Sequence, residues 1–179
     1  MIIPETDYNI TQNDVPVLTV TGDGTYIYTN CWLNDFNIES EHLENILSDF
    51  RFKDNILTSI IQYGHSPVYK PVLRVLTNSN IQISDFDISK DVLAVALFRD
   101  KGKDNYTWLD FFEVNGVYRK HTDKKYKRVG ESALKSFQKQ YLHQGIECRS
   151  NFDALGFYFK YGFKRIDERE CHLSWGPQR

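Results

Sequence analysis

Tyr158 stands inside a short aromatic segment, Asn151-Phe152-Asp153-Ala154-Leu155-Gly156-Phe157-Tyr158-Phe159-Lys160-Tyr161-Gly162-Phe163, where it can offer a phenol to whatever lies beside it. A phenol's ordinary pKa, about 10, is close enough to a thiol's for the two to exchange a proton. A second chemistry lies upstream. Arg119, Lys120, Lys124, Lys125, Lys127 and Arg128 crowd one stretch in which Asp123 is the one acid, and they lead straight into Val129-Gly130-Glu131-Ser132. Val129, Ala133, Leu134, Phe137 and Tyr141 then recur at helical spacing, so a basic loop feeds the start of an amphipathic helix. A helix's first turn carries unpaired N–H groups and the positive end of its dipole. Gly130, without a side chain, lets an anion approach that backbone closely. The chemistry is that of a diphosphate cradle.

The elements that must position these groups can be read from spacing. Asn151 and Asp153 are helix-starting types, and Gly162 sits where a left-handed C-terminal cap is needed. Phe163 to Ile166 and Cys171 to Trp175 follow as short strands. Upstream, Val17 to Val20, the turn Gly22-Asp23-Gly24 and the alternating Thr25 to Thr29 form a hairpin, with Pro16 at a position suited to a strand start or edge. Ser40 and Asp54 can cap two helices, the second carrying Ile56, Leu57, Ile60 and Ile61. Val72 to Leu76 and Ile81 to Ile83 read as strands. Val92 to Phe98 is a continuous apolar run, which suits a central strand covered on both faces. Tyr106 to Val114 is the next strand, a helix runs from about Gly130 to Leu142, and Ile146 to Cys148 is a strand. This order predicts an α/β or α+β layered fold with a mixed sheet. No linker divides the chain, so a single domain is expected over 1–179.

Composition narrows the class. With 179 residues and 41% apolar content the chain can bury a real core. A net charge of −2 argues against binding polyanions through bulk charge, and beyond the basic loop the chain offers no basic face for nucleic acid. Cys31, Cys148 and Cys171 are odd in number and far apart, which reads as free thiols in a reducing compartment. No apolar leader or membrane-spanning run appears, so a cytoplasmic protein is expected. The five histidines show no metal-ligand spacing, and no metal is expected.

Asn151, Ala154, Tyr158, Gly162 and Phe163 fall without a gap on the C-terminal pattern of the GNAT family of N-acetyltransferases, which the chain therefore resembles. The basic loop resembles the family's cofactor loop: Lys125 takes the Arg/Gln position, Arg128 replaces the first glycine, and Gly130 keeps the second. Together the two motifs cover about the last third of the chain. The resemblance implies a GNAT-like acyl-CoA N-acyltransferase fold whose sheet splays between the family's fourth and fifth strands, with acetyl-coenzyme A as cosubstrate in the opening. Residues 92–179 would form the cofactor-binding core and 1–91 the acceptor side.

The implied reaction is direct attack of a primary amine, on a small molecule or a peptide, on the thioester. Tyr158 would protonate the departing thiolate; its alternative role is packing between helix and sheet. Val114, Lys125, Lys127, Arg128, Val129, Gly130, Glu131 and Ser132 would hold the cofactor, with Asn151 either joining them or serving only as a helix cap. In the Tyr106–Val114 strand, the backbone of Phe111, Phe112, Glu113 and Val114 would pair with the pantetheine amides as an added strand does. Its acids, Asp110 and Glu113, are candidates to take the amine's proton directly or through water, Glu113 being preferred. Simple alternation puts Leu109, Phe111 and Glu113 on one side and Trp108, Asp110, Phe112 and Val114 on the other. The rival reading is an inactive GNAT-like module that binds coenzyme A or another protein. A homodimer is left open.

Overall fold

A computed structural model of the chain describes residues 13–36, 70–78, 91–100, 107–118, 125–167 and 171–177. The expected helices begun by Ser40 and Asp54, the expected strand Ile81 to Ile83, and the basic residues Arg119, Lys120 and Lys124 lie outside these residues. The strands are β1 (Asn13–Val20), β2 (Tyr26–Phe36), β3 (Lys70–Thr77), β4 (Val92–Asp100), β5 (Thr107–Val114), β6 (Tyr126–Lys127), β7 (Ile146–Arg149), β8 (Lys164–Asp167) and β9 (His172–Trp175). Among the described residues two α-helices accompany them, α1 (Val129–Gln140) and α2 (Leu155–Lys160), the latter entered through a 3₁₀ turn at Phe152–Ala154. Among the described residues the strands make one mixed sheet in the order β6-β1-β2-β3-β4-β5-β7-β9-β8.

The hairpin forms where it is expected. Gly24 takes φ +85°, and Asp23 Oδ1 accepts from the Thr25 N–H at 3.1 Å, closing the turn between β1 and β2. Pro16 is tolerated inside β1 because the far side of that strand is covered by β6 only at Leu18 and Thr19. The apolar run of β4 is central, and Val92 to Phe98 are all at most 1% exposed. Phe98 packs edge-on to Phe137 of α1 at 4.9 Å, and Phe112 of β5 meets the same ring at 5.5 Å. These contacts, with Val129, Ala133 and Leu134 buried beside them, set α1 on one face of the sheet.

The decisive irregularity is in β5. Leu97 pairs with Phe111 and Phe98 with Leu109, so Asp110 is an extra residue with no partner across the ladder. The bulge resets the alternation. Leu109 joins Phe112 and Val114 against the α1 core, contrary to the alternation expected from the sequence, which had set Leu109 with Phe111 and Glu113. Next to the bulge the sheet opens. β5 and β7 run parallel but pair only from Thr107–Ile146 to Leu109–Cys148, and no described strand continues the pairing along β5 toward Val114.

The cysteines are free, with Cys31 and Cys148 buried. Burial pushes each of these thiols up to about 12, with Lys125 opposing the effect at Cys31 and Glu147 adding to it at Cys148. A folded-state pKa raised above the ordinary 9.0 makes a stabilising contribution that is whole below that pH and is lost as pH climbs toward 12. Thermal melts should therefore decline steeply in alkali, by up to about 1.4 kcal/mol per pH unit for each thiol. Cys148→Ala should flatten the decline, and an identical slope in the variant would show the thiol is not its source.

Candidate active site

The C-terminal motif is built as its residue types require. Asn151 Oδ1 accepts from the Ala154 N–H at 2.9 Å and caps the 3₁₀ turn. Gly162 at φ +82° ends α2, with Phe163 N–H bonded to the Tyr158 carbonyl at 3.2 Å. Tyr158 is thereby fixed with its ring packed on Phe163 at 5.1 Å and on Phe157 at 5.4 Å. It is 8% exposed. Burial drives its phenol well above the ordinary range, and the nearby Cys148 adds to the rise, so the hydroxyl keeps its proton through neutral pH.

Tyr158 borders a hollow of about 220 Å³ in the gap between β5 and β7. Leu109, Asp110, Phe111 and Phe112 line it from β5, Arg149, Ser150 and Asn151 from the end of β7 and the turn beyond, and Ala154 from the 3₁₀ turn that leads into α2. Asp110 is bonded by Arg99 through Nε and, at 2.7 Å, through its terminal nitrogen. Glu113, 7% exposed, lines neither this hollow nor the larger cleft described next.

That cleft, about 770 Å³, opens at the N-terminus of α1. Val114, Lys127, Arg128, Val129, Gly130 and Glu131 line it as a set, joined by Phe157 and Lys160 of α2, by Tyr161 at its C-terminal cap, and by Tyr26, Tyr118 and Tyr126. No side chain caps α1. Its first intrahelical bond runs from Ser132 N–H to the Arg128 carbonyl at 3.0 Å, so the N–H groups of Val129, Gly130 and Glu131 precede the ladder. A Cβ on Gly130 would lie 3.2 Å from Val114 Cγ2 and 3.6 Å from Phe157 Cζ. Arg128 holds φ +52°, the one positive-φ non-glycine among the described residues. It thus adopts the conformation for which a glycine would be chosen.

Glu131 does not leave a bare negative charge in the cleft. Lys135 donates to it at 2.7 Å and Lys160 comes within 4.0 Å. The Lys135 hydrogen bond holds its carboxyl below the ordinary range against a smaller opposing effect of burial, and Tyr161 helps. Two of the expected cofactor residues stand apart. Lys125 is exposed with its ammonium 5.3 Å over the Tyr126 ring and does not line the cleft. Ser132 lines a neighbouring groove of about 450 Å³ between α1 and β1. Phe157, Lys160 and Tyr161 were missed in the sequence, although their i, i+3, i+4 spacing puts them on one helix face. Phe157 lines the cleft, and its ring lies 6.2 Å from that of Phe112, which lines the hollow of Tyr158.

Among the described residues no group of three or more His, Cys, Asp or Glu side chains could hold a metal, and no helix is long and apolar enough to cross a membrane. No protein-family model and no curated protein matches the chain. Among solved structures it is similar to the PaiA N-acetyltransferase of Thermoplasma acidophilum in complex with coenzyme A, at 16% identity and TM-score 0.38, over 78% of this chain and 81% of that one. It is also similar to nourseothricin acetyltransferase, at 14% identity and TM-score 0.38, over 97% of this chain and 92% of that one.

Proposed function

We propose that the chain is a GNAT-type N-acetyltransferase that moves an acetyl group from acetyl-coenzyme A to a primary amine. The observation that carries this reading is the parting of β5 from β7 after three paired positions, with Tyr158 and Asn151 bordering the hollow that opens there. The cation-rimmed start of α1 supports it, because a diphosphate fits N–H groups that no side chain caps. Gly130 keeps that backbone approachable from the cleft. Lys127, Arg128 and Lys160 supply countercharge, and the pairing of Glu131 with Lys135 and Lys160 removes its repulsion of an anion.

Acetyl-coenzyme A supplies the activated acetyl as a thioester. The open side of β5 from Asp110 toward Val114 offers an extended cofactor arm a strand to lie along. Tyr158, protonated because it is buried, donates to the sulfur as the C–S bond breaks and the N–C bond forms. The amine's proton leaves to a carboxylate or water. Glu113 stands beyond the bulge and outside the hollow, so it serves this step through water.

Two measurements test the reading. Acetyl-coenzyme A should raise the melting temperature in proportion to its affinity, and thioester should be lost on adding primary amines. No shift with millimolar cofactor would remove the proposal, and a shift without turnover across a broad amine panel would favour a binding module. Arg128 gives a sharper case. A left-handed non-glycine residue costs roughly 1–2 kcal/mol, and such strain is a pointer to function. Arg128→Gly should therefore leave the protein at least as stable while weakening coenzyme A binding. Melting and titration of the same sample check both halves, and undiminished binding would show the guanidinium is not a phosphate ligand.

A further inference from the structure

The outer edge of β1 is left open where β6 ends. Tyr126 and Lys127 pair with Thr19 and Leu18, and just before them the Val20 N–H donates to the Lys125 carbonyl at 2.8 Å. The chain then leaves the sheet at Arg128, whose φ of +52° turns it into α1. From Asn13 to Val17, β1 therefore has β2 on one side and no outer neighbour among the described residues. Backbone groups alternate between the two edges of a strand, and Val20 sets the phase, so Leu18, Pro16 and Asp14 also aim theirs outward. Proline has no N–H to leave unpaired there. The open edge thus offers the Pro16 carbonyl with the N–H and carbonyl of Asp14.

The groove of about 450 Å³ beside Ser132 is this vacated strand position. β1 walls it with Asp14, Pro16 and Leu18, and α1 with a face on which Arg128, Lys135 and Lys139 recur. It is elongated: Asp14 to Leu18 covers about 13 Å of strand, and Arg128 to Lys139 about 16 Å of helix. Three cations there face two acids, Glu131 and Asp14. Glu131 takes one of the three donors of Lys135, and neither Arg128 nor Lys139 has an ion pair among the described residues. Lys135 and Lys139 stand about 6 Å apart along the helix, close to the repeat of about 6.7 Å between side chains on one face of a strand.

We infer that this edge docks an extended acidic peptide of a partner protein, added to β1 as a strand in line with β6, with acids two apart in its sequence meeting Lys135 and Lys139. Backbone bonds to Pro16 and Asp14 set its register, and the lysines select the sign of its side chains. The site is separate from acetyl transfer, although it shares Arg128 with the cofactor cleft.

The test is fluorescence anisotropy of a labelled peptide, Thr-Val-Glu-Val-Glu-Thr, with the parent, Lys139→Glu and Pro16→Val. Both positions are exposed, so both variants should fold, and the readout needs no coenzyme. The parent should bind saturably. Lys139→Glu should bind about three- to tenfold more weakly. Pro16→Val restores an N–H on the open edge and should bind about two- to tenfold more tightly, which a purely ionic contact would not do. In the parent, a peptide with lysine in place of both glutamates and one with an N-methylated backbone should each bind at least about tenfold more weakly. Equal affinity of parent and Lys139→Glu, no gain with Pro16→Val, equal affinity for either control peptide, or no saturable binding at millimolar peptide each overturns the inference.

Discussion

Tyr158→Phe is expected to lower kcat for acetyl transfer by about 10²- to 10⁴-fold, the range for loss of a positioned general acid. Affinity for the coenzyme should not change, because the ring that packs on Phe163 and Phe157 is retained. Removal of one hydroxyl should alter stability by no more than about 1 kcal/mol. The pH behaviour is part of the test. Burial raises the phenol's pKa, so the donor stays protonated through neutral and mildly alkaline pH and the deficit of the variant should be constant there. Steady-state rates with saturating amine, alongside a coenzyme titration, separate the two roles of the residue. Undiminished turnover in the variant would leave Tyr158 as a packing residue only.

Gly130→Val is expected to abolish productive coenzyme binding. The new Cβ alone would stand 3.2 Å from Val114 Cγ2 and 3.6 Å from Phe157 Cζ, closer at Val114 than an ordinary contact. The branches beyond it would fill the space through which an anion reaches the Val129, Gly130 and Glu131 N–H groups. Loss of one or two charge-assisted hydrogen bonds costs about 1.5–3 kcal/mol each, or more than tenfold in affinity. Gly130→Ala should fall between parent and valine, because Val114 is half-buried and one methyl asks less of it. The glycine is half-buried in the first turn of α1, and what a new side chain would meet first are side-chain atoms of Val114 and Phe157 on the cleft and not backbone, so folding should survive in both. Titration with coenzyme A across the three proteins gives the order, and equal affinity throughout would place the diphosphate elsewhere.

Local chemistry made much of this molecule legible. Gly162 at φ +82°, the Asn151 cap, the buried run of β4 and the stripe Val129-Ala133-Leu134-Phe137 each follow from a rule that acts within a few residues. The bulge at Asp110 was not legible, because an extra residue is defined only against the partner strand at Leu97 and Phe98. That is why plain alternation misassigns the two sides of β5; the preference for Glu113 over Asp110 rests on a different ground, its nearness to the expected cofactor end. The basic loop hid a second non-local effect. Tyr126 and Lys127 form β6 by pairing with Leu18 and Thr19, more than a hundred positions earlier in the chain. That pairing holds Tyr126 buried and Lys127 on the cleft, while Lys125 stays outside. No spacing rule within the loop could rank those lysines.

The parallel seam between β5 and β7 spans only Thr107 to Leu109 on one side and Ile146 to Cys148 on the other. Past that seam the two halves are stitched by side chains instead: Gln138 Nε2 donates to the Tyr161 carbonyl at 2.8 Å, and Lys160 comes within 4.0 Å of Glu131. The opening beside β5 is thus braced at its wide end as well as at its apex, and a ligand would meet walls already set.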